Sequence, residues 1–369
     1  MTKQANNSFT RRDFVKTAAA TTAAVLTAPA LAAPAIATES KTDSKIVLGE
    51  GDHKYEVQHG WAQLPKEFEW QTTHNCTVDR NGNVYVIHEG RDNRRGHPTI
   101  FVFDGDGKYL RSFGNQFAGG AHGMDLRDEN GEEFLYVTCY RPKMIAKLSL
   151  QGEEVWRRHA PMESGKYAAG EEADNHVYGQ RDNFMPTNIC FLPDGDFLVA
   201  DGYGSFWVHR YDKDANWKSC WGGPGEGDAT LNSPHGIWYD DRPGREPAVA
   251  VADRNRHIVK YFTPDGEYLS TVEGFLLPCH FDLHGDVMLV PDLSSRVTLL
   301  DKDNKPLAHL ANYPEWQKQV DEQQLRVKPD TWEAGKFVHP HDACFDHEGN
   351  IIVTEWVEPG RVTKLTRLG

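Results

Sequence analysis

The sequence predicts an all-β chain folded as a six-bladed β-propeller of the NHL-like kind, and three observations predict it. A polar turn ending in glycine, followed by a β-branched run, recurs along the chain at a spacing of roughly 40–65 residues. Turn signals fall roughly every 8–12 residues between alternating strands, which is an all-β pattern. The 369 residues are also too many for one simple core unless repeated units share it.

The units follow in order. Asp79-Arg80-Asn81-Gly82 leads into a strand at 83–87, and the turn ending at Gly131 leads into 134–138. Pro193-Asp194-Gly195 precedes Phe197–Ala200, and Tyr239-Asp240-Asp241, with a longer turn, precedes 248–252. The last two turns, ending at Gly285 and Gly349, lead into 287–290 and 351–354. A third and fourth strand follow in most units, as in Ile258–Phe262 and Tyr268–Val272 around Pro264-Asp265-Gly266. Four short strands repeated six times make a six-bladed propeller. The sixth unit has three strands before Gly369, so the segment 53–64 is expected to supply its fourth strand. That pairing closes the ring and removes its open edges. Segments 160–183 and 313–336 fit no strand and are expected as loops or short helices between blades.

Arg11-Arg12 stands before an Ala/Thr-rich apolar run at 17–37, the pattern of a twin-arginine export signal. Ala35-Ile36-Ala37 offers a cleavage site, with Ala30-Leu31-Ala32 as its rival. Pro29 and Pro34 interrupt the run, and it is too short and weakly apolar for a membrane anchor. The expected organisation is a signal at 1–37, a linker at 38–52 and the propeller at 53–369, with a periplasmic or secreted destination. The net charge of −14 argues against nucleic acid or anionic lipid as partner. A small-molecule or peptide-derived substrate and a monomeric chain are expected. The six cysteines show no Cys-x-x-Cys spacing; five sit in or beside strands and read as buried free thiols.

Aligned on the turn glycine, the innermost strands begin at His74, His122, Thr187, His235, Leu277 and His341. The fifth register can slide by one or two through Pro278-Cys279. Histidines of blades two, four and six alternate around the ring, so His122, His235 and His341 are expected to converge on the axis. Three neutral imidazoles with an open fourth position are the ligand set of catalytic zinc. His74 breaks the alternation and is expected to support a ligand or meet substrate. Second strands end on the same face at Glu89, Tyr140, Tyr203, Arg254, Asp292 and Glu355. Tyr203 beside a dication suits a general base, since its free pKa of ~10 falls there. Arg254 suits a developing oxyanion or a carboxylate.

Asn83-Val84-Tyr85-Val86-Ile87-His88, Ala121-His122-Gly123, Asp201-Gly202-Tyr203, Pro234-His235-Gly236, Ala252-Asp253-Arg254-Asn255 and Pro340-His341-Asp342 together resemble peptidyl-α-hydroxyglycine α-amidating lyases, within the NHL-repeat propellers. The resemblance covers about residues 78–353. It implies zinc on His122, His235 and His341, Tyr203 as base and Arg254 as electrostatic partner. It also implies a structural calcium on Asp342, with the backbone carbonyls of Cys76 and Met124. A carboxylate with carbonyls and waters suits Ca²⁺. Glu89 stands where the family carries a substrate-facing Arg, with Arg91, Arg94 and Arg95 nearby to compensate. His339 replaces the family's Met two residues before the last ligand, the family's disulfide cysteines are absent, and no monooxygenase domain is attached. The reaction implied is cleavage of a C–N or C–O bond at a hydroxylated carbon. Two other classes fit the fold: a lactonase-type hydrolase, with calcium held centrally by Glu89, Asp292 and Glu355, and a non-enzymatic NHL binding module.

Overall fold

The computed structural model describes residues 45–91, 96–175, 177–179 and 181–369. The expected signal, the first part of the expected linker, and Arg94 and Arg95 lie outside them. Six antiparallel sheets follow one another along the chain, each with its first strand innermost. Blade one, for example, runs Thr73–Val78, Val84–His88, Ile100–Phe103 and Tyr109–Phe113. The innermost strands of blades two, four and six are Ala121–Glu129, Pro234–Asp240 and Pro340–Phe345.

Blade six closes the ring as the sequence predicts. Lys54–His59 pairs antiparallel with Arg361–Leu368, from Lys54 opposite Leu368 to His59 opposite Thr363. Val47–Leu48, in the segment read as linker, add a fifth strand against Lys54–His59, with Leu48 opposite Tyr55 and Val47 opposite Glu56. Two residues carry too short a pattern to announce a strand, and this one borrows its order from the edge it covers. Its reward is burial of Leu48 in the interface between blades five and six.

The inner hairpins share one turn device. Asp79 accepts the N–H groups of Asn81 and Asn83 at 2.9 and 2.8 Å, and Gly82 closes the turn at φ +79°. Asp346 does the same for Glu348 and Asn350 before Gly349. Short Asp side chains that mimic a backbone turn, with glycine at positive φ, explain why these motifs punctuate the sequence. The core is divided among the blade interfaces. Tyr85, Ile87 and Val102 of blade one meet Leu135, Val137 and Ala146 of blade two, and Leu289 and Leu299 meet Val353 and Leu365.

The two expected insertions are irregular, with one ten-residue helix, Pro314–Gln323, in the second. Pro314 starts it at a position where the missing N–H costs nothing. Trp316 and Val320 are its buried face. The first insertion is pinned by a buried ion pair: Lys143 Nζ meets Glu171 Oε1 at 2.5 Å with both side chains fully inaccessible. Glu171 also accepts from Asn183 Nδ2 and the Phe184 N–H. All six cysteines are free, five of them buried, as expected. Among the described residues no helix is long and apolar enough to cross a membrane.

Removing one partner of a buried pair strands the other charge. Lys143→Met is therefore expected to lower unfolding stability by about 3–5 kcal/mol, with most of it regained in Lys143→Met/Glu171→Leu. Urea unfolding of both variants checks this, and an unchanged midpoint in the single variant would contradict it.

Candidate metal centre

The axis of the ring carries four buried imidazoles. His122, His235 and His341 lie with ring centroids 4.7–4.8 Å apart. His74 sits beside two of them, 4.7 Å from His122 and 4.6 Å from His341. Each histidine of an even-numbered blade is tied to the next blade. His122 Nδ1 meets the carbonyl of Thr187, His235 Nδ1 that of Cys279, and His341 Nδ1 that of His74, all at 2.8 Å. A carbonyl only accepts, so each Nδ1 carries the proton and each Nε2 presents a lone pair.

These three bonds also fix the blade-five register. The residue equivalent to Thr187 and His74 is Cys279, so the expected Leu277 is corrected by two positions. Pro278 has no N–H, and the ladder runs instead from the Cys279 N–H to the Pro291 carbonyl. Glycine after the histidine lets the next blade come close: a Cβ on Gly236 would lie 2.4 Å from the Cys279 carbonyl oxygen.

Burial holds the imidazoles neutral. His122 is pushed down to about 3, and His235, His341 and His74 well below the ordinary value, with burial the largest cause each time. His341 Nε2 and both ring nitrogens of His74 are buried without a protein partner. Neutral nitrogen donors with orphaned lone pairs fit a borderline divalent cation such as zinc. One donor atom each from His74, His122 and His341 lies within 4.8 Å of the others, so the compact group includes His74.

Tyr203 closes the cluster from above. Its hydroxyl lies 2.9 Å from His235 Nε2, 3.1 Å from His122 Nε2 and 3.4 Å from Arg254 Nη1. Burial pushes its phenol up, and the Arg254 guanidinium opposes that. Asp201 shapes the loop that carries it. The Asp201 carboxylate accepts the N–H groups of Met185 and Ser205, both at 2.7 Å, and the Tyr203 N–H meets the Met185 carbonyl. Burial raises Asp201 to about 7, although these donors pull it down. The neighbouring acids are spoken for: Asp253 pairs with Arg256 and Asp292 with Arg296, and the Arg254 guanidinium interacts instead with Tyr203 and the Cys279 side chain.

Around this centre the expected substrate residues divide. Glu89 accepts a hydrogen bond from the Tyr140 hydroxyl, and the Tyr140 ring stands 5.5 Å from Tyr203 and 5.9 Å from His122. Tyr140 stands at the end of its blade's second strand, as Arg254 does, and its residue type alone assigns it no chemistry. Arg91 does not face Glu89; it pairs with Glu358 at 2.5 Å where both are substantially exposed. Arg326, from the second insertion, interacts electrostatically with Glu89, Glu358 and Tyr140, and Arg141 lies 5.8 Å from the Tyr140 ring. Arg326 stacks 3.7 Å from the Trp356 ring and donates to Thr72 Oγ1 at 3.0 Å. No repeat register could have pointed to it. His339 lies beside Trp356 with Nδ1 on the Leu293 carbonyl, and His74 packs against His122 and His341.

Asp342, Cys76 and Met124 line a separate cavity of about 400 Å³ together with Asp125, Asp282 and His280. Asp342 accepts the Cys76 N–H at 2.9 Å through one oxygen, and its other oxygen is buried without a partner. Burial raises Asp342 well above the carboxylate range, Asp125 to about 8 and Asp282 to about 7. An orphaned carboxylate oxygen among further acids fits a calcium ion.

Fold and centre together define a six-bladed propeller with a buried axial imidazole cluster. No family model matches the chain. It is 27% identical to peptidyl-alpha-hydroxyglycine alpha-amidating lyase 1 of Drosophila melanogaster, over 87% of this chain and 61% of the fly protein's length. Among solved structures, a streptogramin B lyase shares the fold with a TM-score of 0.55 at 12% identity, over 85% of this chain and 97% of its own. A gluconolactonase of Xanthomonas campestris does so with a TM-score of 0.53 at 14% identity, over 86% and 90%. At those identities the structural likeness shows the propeller alone, and the sequence likeness shows a relationship among propellers.

Protons compete with a metal for imidazole only below the free site's pKa. Since burial pushes His122 down to about 3 and His235 and His341 well below the ordinary value, pH 5 and pH 7 both lie above the competing range. Zinc affinity is expected to change less than about tenfold between them, where three ordinary imidazoles would lose about 10⁴-fold. Chelator competition at the two pH values checks this.

Proposed function

We propose that the chain is a metal-dependent propeller enzyme, a lyase that cleaves a C–N or C–O bond at a hydroxylated carbon. The observation that carries the reading is the axial arrangement itself. Three imidazoles hold their Nδ1 protons on neighbouring blades, and Tyr203 and Arg254 stand against their Nε2 side. His122, His235 and His341 would hold a zinc ion, which when bound supplies Lewis acidity toward a substrate oxygen.

The remaining work falls to the chain's own groups. Tyr203 takes the proton of the substrate hydroxyl; burial resists its ionisation and Arg254 favours it. As that proton leaves, the carbon–oxygen double bond forms, the C–N or C–O bond breaks, and the departing nitrogen or oxygen takes back the proton that Tyr203 accepted. Arg254 steadies the charge that develops on oxygen. Glu89 with Tyr140, Arg326, His339 and the more exposed Arg91 would shape the mouth for a small-molecule or peptide-derived substrate. A calcium ion on Asp342 and the carbonyls of Cys76 and Met124 would brace the inner strands of blades one, two and six. Export by the twin-arginine route, and action as a monomer away from nucleic acid and membrane, belong to the same reading.

The lactonase arrangement finds less support. It asks Glu89, Asp292 and Glu355 to hold a central calcium. Glu355 is instead paired with Arg361, Asp292 with Arg296, and Glu89 with Tyr140. A binding module has no use for buried imidazoles with orphaned nitrogens, which cost about 1–3 kcal/mol each.

The test is an assay of the zinc-loaded chain on an N-acyl α-hydroxyglycine, following release of the amide. Tyr203→Phe should keep its zinc and lose about 10²–10⁴-fold in kcat, the range of general base catalysis. His341→Ala should lose both zinc and turnover. Full activity in Tyr203→Phe, or turnover by a metal-free chain, would sink the proposal.

A further inference from the structure

His74 holds a position that needs no imidazole for its structural task. Its carbonyl receives His341 Nδ1, but Thr187 and Cys279 give the same service to His122 and His235 with quite different side chains. The His74 ring is 2% exposed, and neither nitrogen has a hydrogen-bond partner. A neutral imidazole buried this way leaves one donor and one acceptor unsatisfied, at about 1–3 kcal/mol each. An apolar side chain would avoid that cost. The Tyr203 hydroxyl lies 2.9 Å from His235 Nε2 and 3.1 Å from His122 Nε2; it has one proton, which the nearer His235 Nε2 accepts, while His341 Nε2 is unengaged. The three imidazoles whose donor atoms lie within 4.8 Å of one another are His74, His122 and His341.

We propose that His74 is itself a metal ligand. With His122 and His341 it forms a second three-imidazole seat for the axial cation, overlapping the His122/His235/His341 seat through two shared ligands. The cation is a borderline divalent ion that accepts neutral nitrogen, such as zinc, cobalt or nickel. Occupancy of this seat leaves the Tyr203–His235 hydrogen bond intact beside the ion, so His235 serves as a partner of Tyr203. The inference rests on the axial cation of the proposed function, and it changes which residues bind it.

Zinc stoichiometry and chelator competition on the full chain, without substrate, test it. His235→Ala is expected to keep about one zinc per chain through the second seat. Adding His74→Ala to that variant should weaken zinc binding by more than about 100-fold, beyond what loss of a supporting partner produces. If His235→Ala alone abolishes binding, or the double variant binds as tightly as His235→Ala, the second seat is overturned while the axial cation stands. A parent chain that binds no zinc overturns both. Melting curves of the metal-free variants establish that they fold. On the unsubstituted chain, loading with ¹¹³Cd should give a ¹¹³Cd–¹⁵N coupling to a His74 ring nitrogen, and its absence would also overturn the inference.

Discussion

The hydrogen bond from a histidine Nδ1 to the carbonyl of the next blade organises this molecule. It occurs three times, on alternate blades, at the same length. Each bond joins two blades where the innermost strands start, so ring closure and imidazole orientation depend on the same contact. It also selects the tautomer, because a carbonyl cannot donate. Burial then keeps the rings uncharged. A propeller built this way delivers lone pairs to its axis as a consequence of how neighbouring blades are stitched together.

A second device sits one strand further out. An acid at the end of the second strand accepts backbone N–H groups from the segment that enters the same blade. Asp201 does so for Met185, Asp253 for Asn232, Asp292 for Leu276 and Leu277, and Glu355 for Val338. In blade one His88 takes the place of the acid and accepts from Gln71. These carboxylates are anchors of the entering loops, which is why they do not reach the centre. Arg254 directly follows Asp253 and Tyr203 comes two residues after Asp201, and the two meet at the imidazole cluster; Glu89 and Tyr140 directly follow His88 and Cys139.

This division explains what was legible in the sequence. Periodicity and turn chemistry are local, so the blades, the closing strand and the histidines of blades two, four and six could be read by counting from a turn glycine. Tyr203 and Arg254 followed from the same count. Blade five resisted because Pro278 interrupts the ladder and no histidine marks the register. Tyr140 was in register, but an aromatic after a cysteine carries no chemical signal until its contacts with Glu89 and His122 are known. Arg326 reaches the mouth from an insertion some 250 residues along the chain from Thr72, its hydrogen-bond partner, a proximity that only the closed ring creates. His74 could be counted, but not that its ring nitrogens are buried without a hydrogen-bond partner.

The central claim is that backbone carbonyls hold His122, His235 and His341 neutral with their Nε2 lone pairs toward the axis. Long-range ¹H–¹⁵N correlation spectra of the ring nitrogens in the metal-free chain test it most directly. All three are predicted to be neutral and protonated at Nδ1, unchanged from pH 7 to pH 5, because burial lowers their proton affinity. Nε2-protonated rings, or rings that charge between pH 7 and pH 5, would contradict the account.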